Sequence, residues 1–247
     1  GGPRGGSGAQ SGHELAVETR YTRNDNDNLG FFTDLVTGGG VTGLQSQRTD
    51  QATDEASLQV DYTRPVGALK LEVGAKANTE TVTSDSRFET GMTPDDLTVD
   101  PNQTNAFSYD RQIVAGYLQA ARPLGPLQVQ AGLRAEYAQR SFDLSTPVPD
   151  GFSPPGSDLD LDQTDQDYAS LFPSAFVTYA VEPGTLVKGS YSRRIERPRT
   201  FFLNPFPDLS DTTFVRVGNP GLRPEYTDSY ELTLQYKFFA TLTPFYR

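Results

Sequence analysis

The chain has 247 residues, 21 basic and 32 acidic, for a formal net charge of -11, and its isoelectric point is near 4.5. With no Cys and a single His, it has neither a disulfide scaffold nor thiolate or multi-histidine metal centres. The acidity argues against a nucleic-acid partner, because phosphate neutralisation takes clustered Lys and Arg.

No apolar run approaches the ~18 residues of a membrane-crossing helix. No basic segment followed by an apolar one opens the chain, so no signal peptide is expected. The abrupt start at Gly1 reads as a mature product or a fragment. Residues 1–12 (GGPRGGSGAQSG) have the composition of a flexible linker. His13 follows, with no neighbour that gives it a role.

From residue 13 onward the apolar residues, only 35% of the chain, fall at period two, the signature of strands. Leu69, Leu71, Val73, Ala75 and Ala77 alternate with Lys70, Glu72, Gly74 and Lys76. Leu127, Val129, Ala131, Leu133, Ala135 and Tyr137 alternate with Gln128, Gln130, Gly132, Arg134 and Glu136. Tyr230, Leu232, Leu234 and Tyr236 alternate with Glu231, Thr233 and Gln235. Weaker copies start at Leu15, Leu58 and Val187. The pattern predicts about nine strands, near 13–24, 56–64, 68–83, 109–121, 126–139, 168–181, 185–195, 227–237 and 241–247. Over 109–121 two phases compete for the apolar face: Ile113, Ala115 and Tyr117 against Val114, Leu118 and Ala120.

Tight turns are expected around Pro65-Val66-Gly67, Pro123-Leu124-Gly125, Pro183-Gly184 and Lys237–Ala240, where Pro and Gly suit reversals. Between them lie long polar stretches at 25–55, 84–108, 140–167 and 196–226. Short and long connections therefore alternate, and the long ones share one end of the strands. That layout, with one apolar and one polar face per strand, is the layout of a transmembrane β-barrel, in which all backbone groups pair. The expected class is all-β: an antiparallel, up-and-down barrel segment over 13–247, with Leu71 and Leu133 facing lipid. Lys70, Glu72, Lys76, Arg134, Glu136, Lys188 and Glu231 would face a wet lumen, along with Asp61 and Arg194. Tyr62, Tyr179 and Tyr236 would form one interfacial girdle, and Tyr21, Tyr137 and Tyr191 the other. The same alternation also fits a soluble sandwich, whose apolar faces form a dry core, or a complete small barrel acting as a pore, adhesin or structural protein.

The stretch Ser190-Tyr191-Ser192-Arg193-Arg194-Ile195-Glu196-Arg197-Pro198 is followed by Leu203-Asn204-Pro205-Phe206 and then by Gly218-Asn219-Pro220-Gly221-Leu222-Arg223-Pro224-Glu225 before Tyr230-Glu231-Leu232. This resembles the barrel of TonB-dependent outer-membrane receptors, in particular the outer-membrane-protein β-barrel subgroup. The specific match lies after residue 185; upstream the likeness is one of layout. The resemblance implies a Gram-negative outer-membrane location and a barrel of about 22 strands with a plugged lumen. It also implies contact with lipid and lipopolysaccharide, TonB as partner through a plug domain, and uptake of a small-molecule, glycan or peptide ligand. The chain departs from that pattern, with no plug, no TonB box and fewer strands, and reads as an internal piece of a barrel. No cofactor and no enzymatic activity are expected; a Gly-x-Ser-x-Gly elbow is absent.

Pro220 and Pro224 bias their neighbours to extended backbone. Asn204, Asn219, Arg223 and Glu225 are thus expected to anchor the long loop more than to touch a ligand, with Arg223 pairing Glu225. Arg193, Arg194, Arg197 and Arg199 form a basic cluster suited to anionic groups or to nearby acidic loops, with internal pairing favoured. Phe201, Phe202, Phe206 and Phe214 are expected to pack the loop over the barrel mouth. Asp158, Asp160 and Asp162 alternate in an acidic stretch whose spacing suits Ca²⁺, although a solvated acidic loop is the plainer reading.

Overall fold

The computed structural model describes residues 12–35, 41–145, 165–207, 216–237 and 240–246. The strands are β1 (Glu14–Leu35), β2 (Val41–Val66), β3 (Leu69–Gly91), β4 (Thr98–Val99), β5 (Asn105–Leu124), β6 (Leu127–Leu144), β7 (Gln166–Glu182), β8 (Thr185–Glu196), β9 (Glu225–Tyr236), β10 (Ala240–Leu242) and β11 (Phe245–Tyr246). They form one antiparallel sheet in the order β1-β2-β3-β5-β6-β7-β8-β9-β10, with β4 added to β3 and β11 to β9. The sheet is open, β1 and β10 being its two ends.

Several strands outrun their expected limits. The polar stretch at 25–55 is not a long loop: β1 runs to Leu35 and β2 starts at Val41, paired without a break from Glu14↔Thr63 to Asp34↔Gly43. Likewise β3 continues to Gly91, β5 starts at Asn105 and β6 ends at Leu144. The β1 and β2 extensions are wet on both faces, so they carry no apolar alternation, whereas those of β3, β5 and β6 hold Phe88, Phe107 and Phe142 on the inner face. Cross-strand charges line the β1 and β2 pair instead: Arg23 meets Asp54 at 3.3 Å, and Arg48 meets Asp27 at 3.0 Å. The last expected strand is two short pieces, both paired with β9.

The short turns carry positive φ at Gly67 (61°), Gly125 (64°) and Gly184 (85°), a backbone conformation that glycine adopts without strain. Pro65 and Pro123 sit one step earlier than expected, on the next-to-last rungs, opposite Lys70 and Gln128. There the pairing of β1 with β2 has already stopped at Thr63 and that of β3 with β5 at Ala121, so each proline's missing donor costs no ladder bond on that side.

The register lays the apolar residues in continuous rows. One runs Leu15, Tyr62, Val73, Leu118, Leu133, Pro173 across six strands. This face is convex and exposed, and no second sheet covers it among the described residues. The packed interior of a sandwich is therefore missing among the described residues. Over β5 the phase is decided: Val114 and Leu118 face outward, while Ile113 and Ala115 are buried on the concave side.

The outward apolar rows end at tyrosines. Tyr21 donates to Asp54 Oδ1 at 2.5 Å, Tyr137 to Asp167 Oδ2 at 3.0 Å and Tyr191 to Asp228 Oδ1 at 2.9 Å. Each phenol thus has its ring against the apolar band and its hydroxyl on a carboxylate, the amphipathic arrangement of an interfacial belt.

Candidate functional site

The concave face forms a trough lined by side chains of inward parity. A space of about 820 Å³ opens there, bounded by Glu18, Arg20, Glu55, Lys76, Arg111 and Arg134, among others. The charges are partly matched. Arg134 Nε donates to Glu136 Oε1 at 2.7 Å, and Arg197 Nη2 donates to Glu136 Oε2 at 2.5 Å. Arg197 also donates to the Tyr168 hydroxyl at 2.9 Å. Arg111 is ion-paired with Glu80, and Lys70 with Glu72. Glu72 also accepts from Gln119 at 3.2 Å. Lys188 and Glu231 share the inward register, Lys188 opposite Thr178 and Thr233, Glu231 opposite Ser190.

Toward the long-loop end the trough is crossed by a strap, residues 197–207 and 216–224. Its entry is set by β7. Pairing of β6 with β7 runs up to Arg140↔Gln166, but pairing of β7 with β8 stops at Ser174↔Ser192. The next residue up β7 is Pro173, which has no N–H to offer a neighbour. Above that point the β8–β9 hairpin leaves the wall and leans over the inner face of β7. Tyr226, opposite Ile195 on β9, shares a hydrogen bond of 2.6 Å with Ser170, and its ring lies 6.5 Å from that of Phe172.

The strap is seated on an apolar patch inside the trough. Val82, Tyr109 and Phe142 stand in one cross-strand row of β3, β5 and β6. Leu203, 1% exposed, packs on them, with Phe107 and Leu144 at the margin. Pro205, Phe206 and Pro207 are buried beside it. Two backbone bonds close the strap on itself: Gly218 N to Asn204 O at 2.8 Å and Asn219 N to Phe202 O at 2.7 Å. A Cβ at Gly218 would stand 2.4 Å from Asn204 O, so only glycine allows this approach. Arg140, itself buried, reaches from β6 to the Pro220 carbonyl at 2.9 Å, to the Leu222 carbonyl, and to Gln166 Oε1 at 2.6 Å.

The motif residues therefore separate. Asn204 Nδ2 donates to Asn105 at 3.4 Å, and its Oδ1 accepts the Phe206 N–H at 3.0 Å. Asn219 Oδ1 accepts from Gly221 N at 2.7 Å. Arg223 and Glu225 are exposed and form no ion pair among the described residues; Glu225 stands opposite Glu196 instead. The basic cluster divides as well. Arg197 enters the trough, Arg193 lies 5.0 Å from the centre of the Tyr226 ring, and Arg194 and Arg199 are exposed. Phe206 packs as expected, whereas Phe201 and Phe202 stay more than half exposed. Phe214 and the aspartates 158, 160 and 162 lie outside the described residues. Among the described residues no group of three or more His, Asp or Glu is placed to hold a metal ion. Arg140 was not singled out from the sequence, and Leu203 only as part of the motif; Arg140 continues the inward parity of Arg134 and Glu136 one residue past the expected strand end.

The model of the outer membrane protein beta-barrel family matches residues 8–247. The chain belongs to this family. Its convex apolar band and tyrosine belt are accordingly the lipid face of an outer-membrane protein. No curated protein matches. Among solved structures, the chain is similar to the ferric citrate transporter FecA in its unliganded form, at 13% identity and a TM-score of 0.58, over 96% of this chain and 32% of that one. It is also similar to the copper transporter OprC, at 13% identity and a TM-score of 0.61, over 93% of this chain and 35% of that one. At such identities the likeness is one of fold. The chain spans about a third of the length of these transporters.

Proposed function

We propose that these residues are part of the barrel of a TonB-dependent receptor that takes up a nutrient ligand across the outer membrane of a Gram-negative bacterium. The observation that carries the reading is the charged trough at membrane depth. Side chains such as Lys76 and Arg20 have no ion partner within the sheet and face an open space of about 820 Å³. Charges there need water or another polar protein segment. A plug domain from the same protein would fill such a space, and TonB would act through that plug. The lipid and lipopolysaccharide of the membrane would contact the convex face and its rim. The coverage of about a third of two transporter chains agrees with an arc of a larger barrel.

The test is exometabolite profiling of the native host. A strain lacking the whole gene and a strain lacking TonB are expected to leave the same solute in the medium. A solute whose uptake needs the gene but not TonB would refute energised transport.

A further inference from the structure

A second cavity, of about 260 Å³, lies at the outer mouth between the sheet and the strap. Its chemistry differs from that of the trough below. The sheet side presents Gln47, Thr49 and Gln51 from alternate positions of β2, with Ser84, Ser86 and Phe88 opposite them on β3. The register continues to Asn105 and Phe107 on β5. The strap supplies Phe201, Asn204 and Phe206. Among the described lining residues there is no carboxylate, and the one cation, Arg216, lies with its guanidinium 5.3 Å from the centre of the Phe201 ring.

From this lining we infer that the mouth binds a neutral, polyhydroxylated ligand: the end of an uncharged oligosaccharide. The inference rests on the uptake reading and gives its substrate class. Three features carry it. A planar amide offers a donor and an acceptor side by side, the arrangement that matches two adjacent hydroxyls. Gln47 and Gln51 supply two such groups, and neither side chain is hydrogen-bonded within the described residues. Thr49 and Ser86, already bonded to each other at 3.1 Å, retain further donor and acceptor capacity toward the cavity. The exposed ring of Phe201 and the ring of Phe107 give flat apolar faces on which the C–H face of a sugar ring packs.

Charged ligands fit poorly. Asp25, Asp27, Asp50 and Asp85 alternate with the cavity residues and so stand on the opposite face of the sheet, the first three ion-paired with Arg23 and Arg48; the chain as a whole bears -11. The field of that net charge disfavours an anionic chelate. A cation would find no carboxylate inside. A peptide strand would add to a sheet edge, whereas these walls are the face of a sheet. The cavity is smaller than the roughly 300–1,000 Å³ that enclose a whole drug-sized ligand, so it takes one end of an oligomer.

The test uses the intact receptor, purified from outer membranes in detergent. It is probed on an array of neutral oligosaccharides and then by calorimetry with the best binder; a tripeptide pool and ferric citrate are the competing probes. A neutral oligosaccharide is expected to bind. Phe201→Ala and the pair Gln47→Ala with Gln51→Ala are each expected to weaken it at least tenfold, while the folded, heat-modifiable band on gels is unchanged. Failure of every neutral oligosaccharide to bind overturns the proposal, whatever else binds. Glycan binding that both variants leave unaltered overturns it too. The uptake reading stands apart from this result. Sugar binding without TonB-dependent uptake sinks the transport reading alone, and TonB-dependent uptake of a peptide or chelate without sugar binding sinks this one alone.

Discussion

Leu133 tests the facing of the whole sheet. It lies on β6 between Leu118 of β5 and Pro173 of β7 and is 49% exposed on the convex side. The outward row of β6 climbs from Leu127 beside the short turn to Tyr137 in the upper belt. At ~3.4 Å per residue and a strand tilt of roughly 40°, that climb rises about 26 Å, the height of an outer-membrane apolar band. Leu133 falls a little above the middle of it. An arginine at the bilayer midplane of such a barrel costs ~2–4 kcal/mol, which lowers the folded-to-unfolded ratio by about 30- to 1,000-fold. Gln130, three residues away, points into the trough, where an arginine meets water. Leu133→Arg is therefore expected to deplete the intact receptor from outer membranes and to lower its folding free energy into lipid vesicles. Gln130→Arg is expected to change that free energy by less than ~1 kcal/mol. Equal costs on the two faces, or a larger cost at Gln130, would refute the assignment of lipid and lumen.

The other expectations concern the strap and one surface turn. Arg140→Ala removes the donor to the Pro220 and Leu222 carbonyls and is expected to cost about 1–3 kcal/mol; hydrogen exchange would rise across 216–224, and a change confined to β6 would contradict the clamp. Leu203→Ala empties the seat on Val82, Tyr109 and Phe142 at a cost of ~2–5 kcal/mol. Limited proteolysis is expected to cut the strap while the barrel band survives; an uncut strap would show that this seat does not hold it. Asp96 accepts the backbone N–H groups of Thr93 at 2.7 Å and Met92 at 3.0 Å, and the Thr93 bond foremost holds its carboxyl below the ordinary aspartate value. A depressed carboxylate stabilises the turn above its unfolded pKa, and the effect is lost as pH falls through the lower folded pKa. The Thr93 amide is expected to lose exchange protection on acidification through that window, and Asp96→Asn to abolish the pH dependence; a wild-type turn indifferent to acid would remove the role of Asp96.

Much of the architecture was legible in the residues. Over 69–77, 127–137 and 230–236 alternation is strict because each strand lies between two unlike solvents, lipid and water, and the chain must match both. The tyrosines mark where those solvents meet, and the turn glycines mark the left-handed positions that tight reversals take. The β1 and β2 extensions were not legible for the complementary reason. With water on both faces there is no contrast to record, and Arg, Asp, Thr and Gln on a paired strand look like loop.

The strap belongs to another level. Its motif was visible between Arg197 and Glu225, and its glycines and prolines announced a constrained loop. Its destination was not. Val82, Tyr109 and Phe142 are far apart in the chain, and only the register of β3, β5 and β6 makes them one patch on the inner face. The end of β7–β8 pairing beside Pro173 turns the hairpin inward, so that Leu203 reaches that patch and Arg140 meets the returning backbone. Local alternation thus determines which way each side chain points, because facing is settled residue by residue. Where a long connection comes to rest depends on the curvature of the assembled sheet and on apolar surface gathered from several strands, and neither exists until the strands are paired.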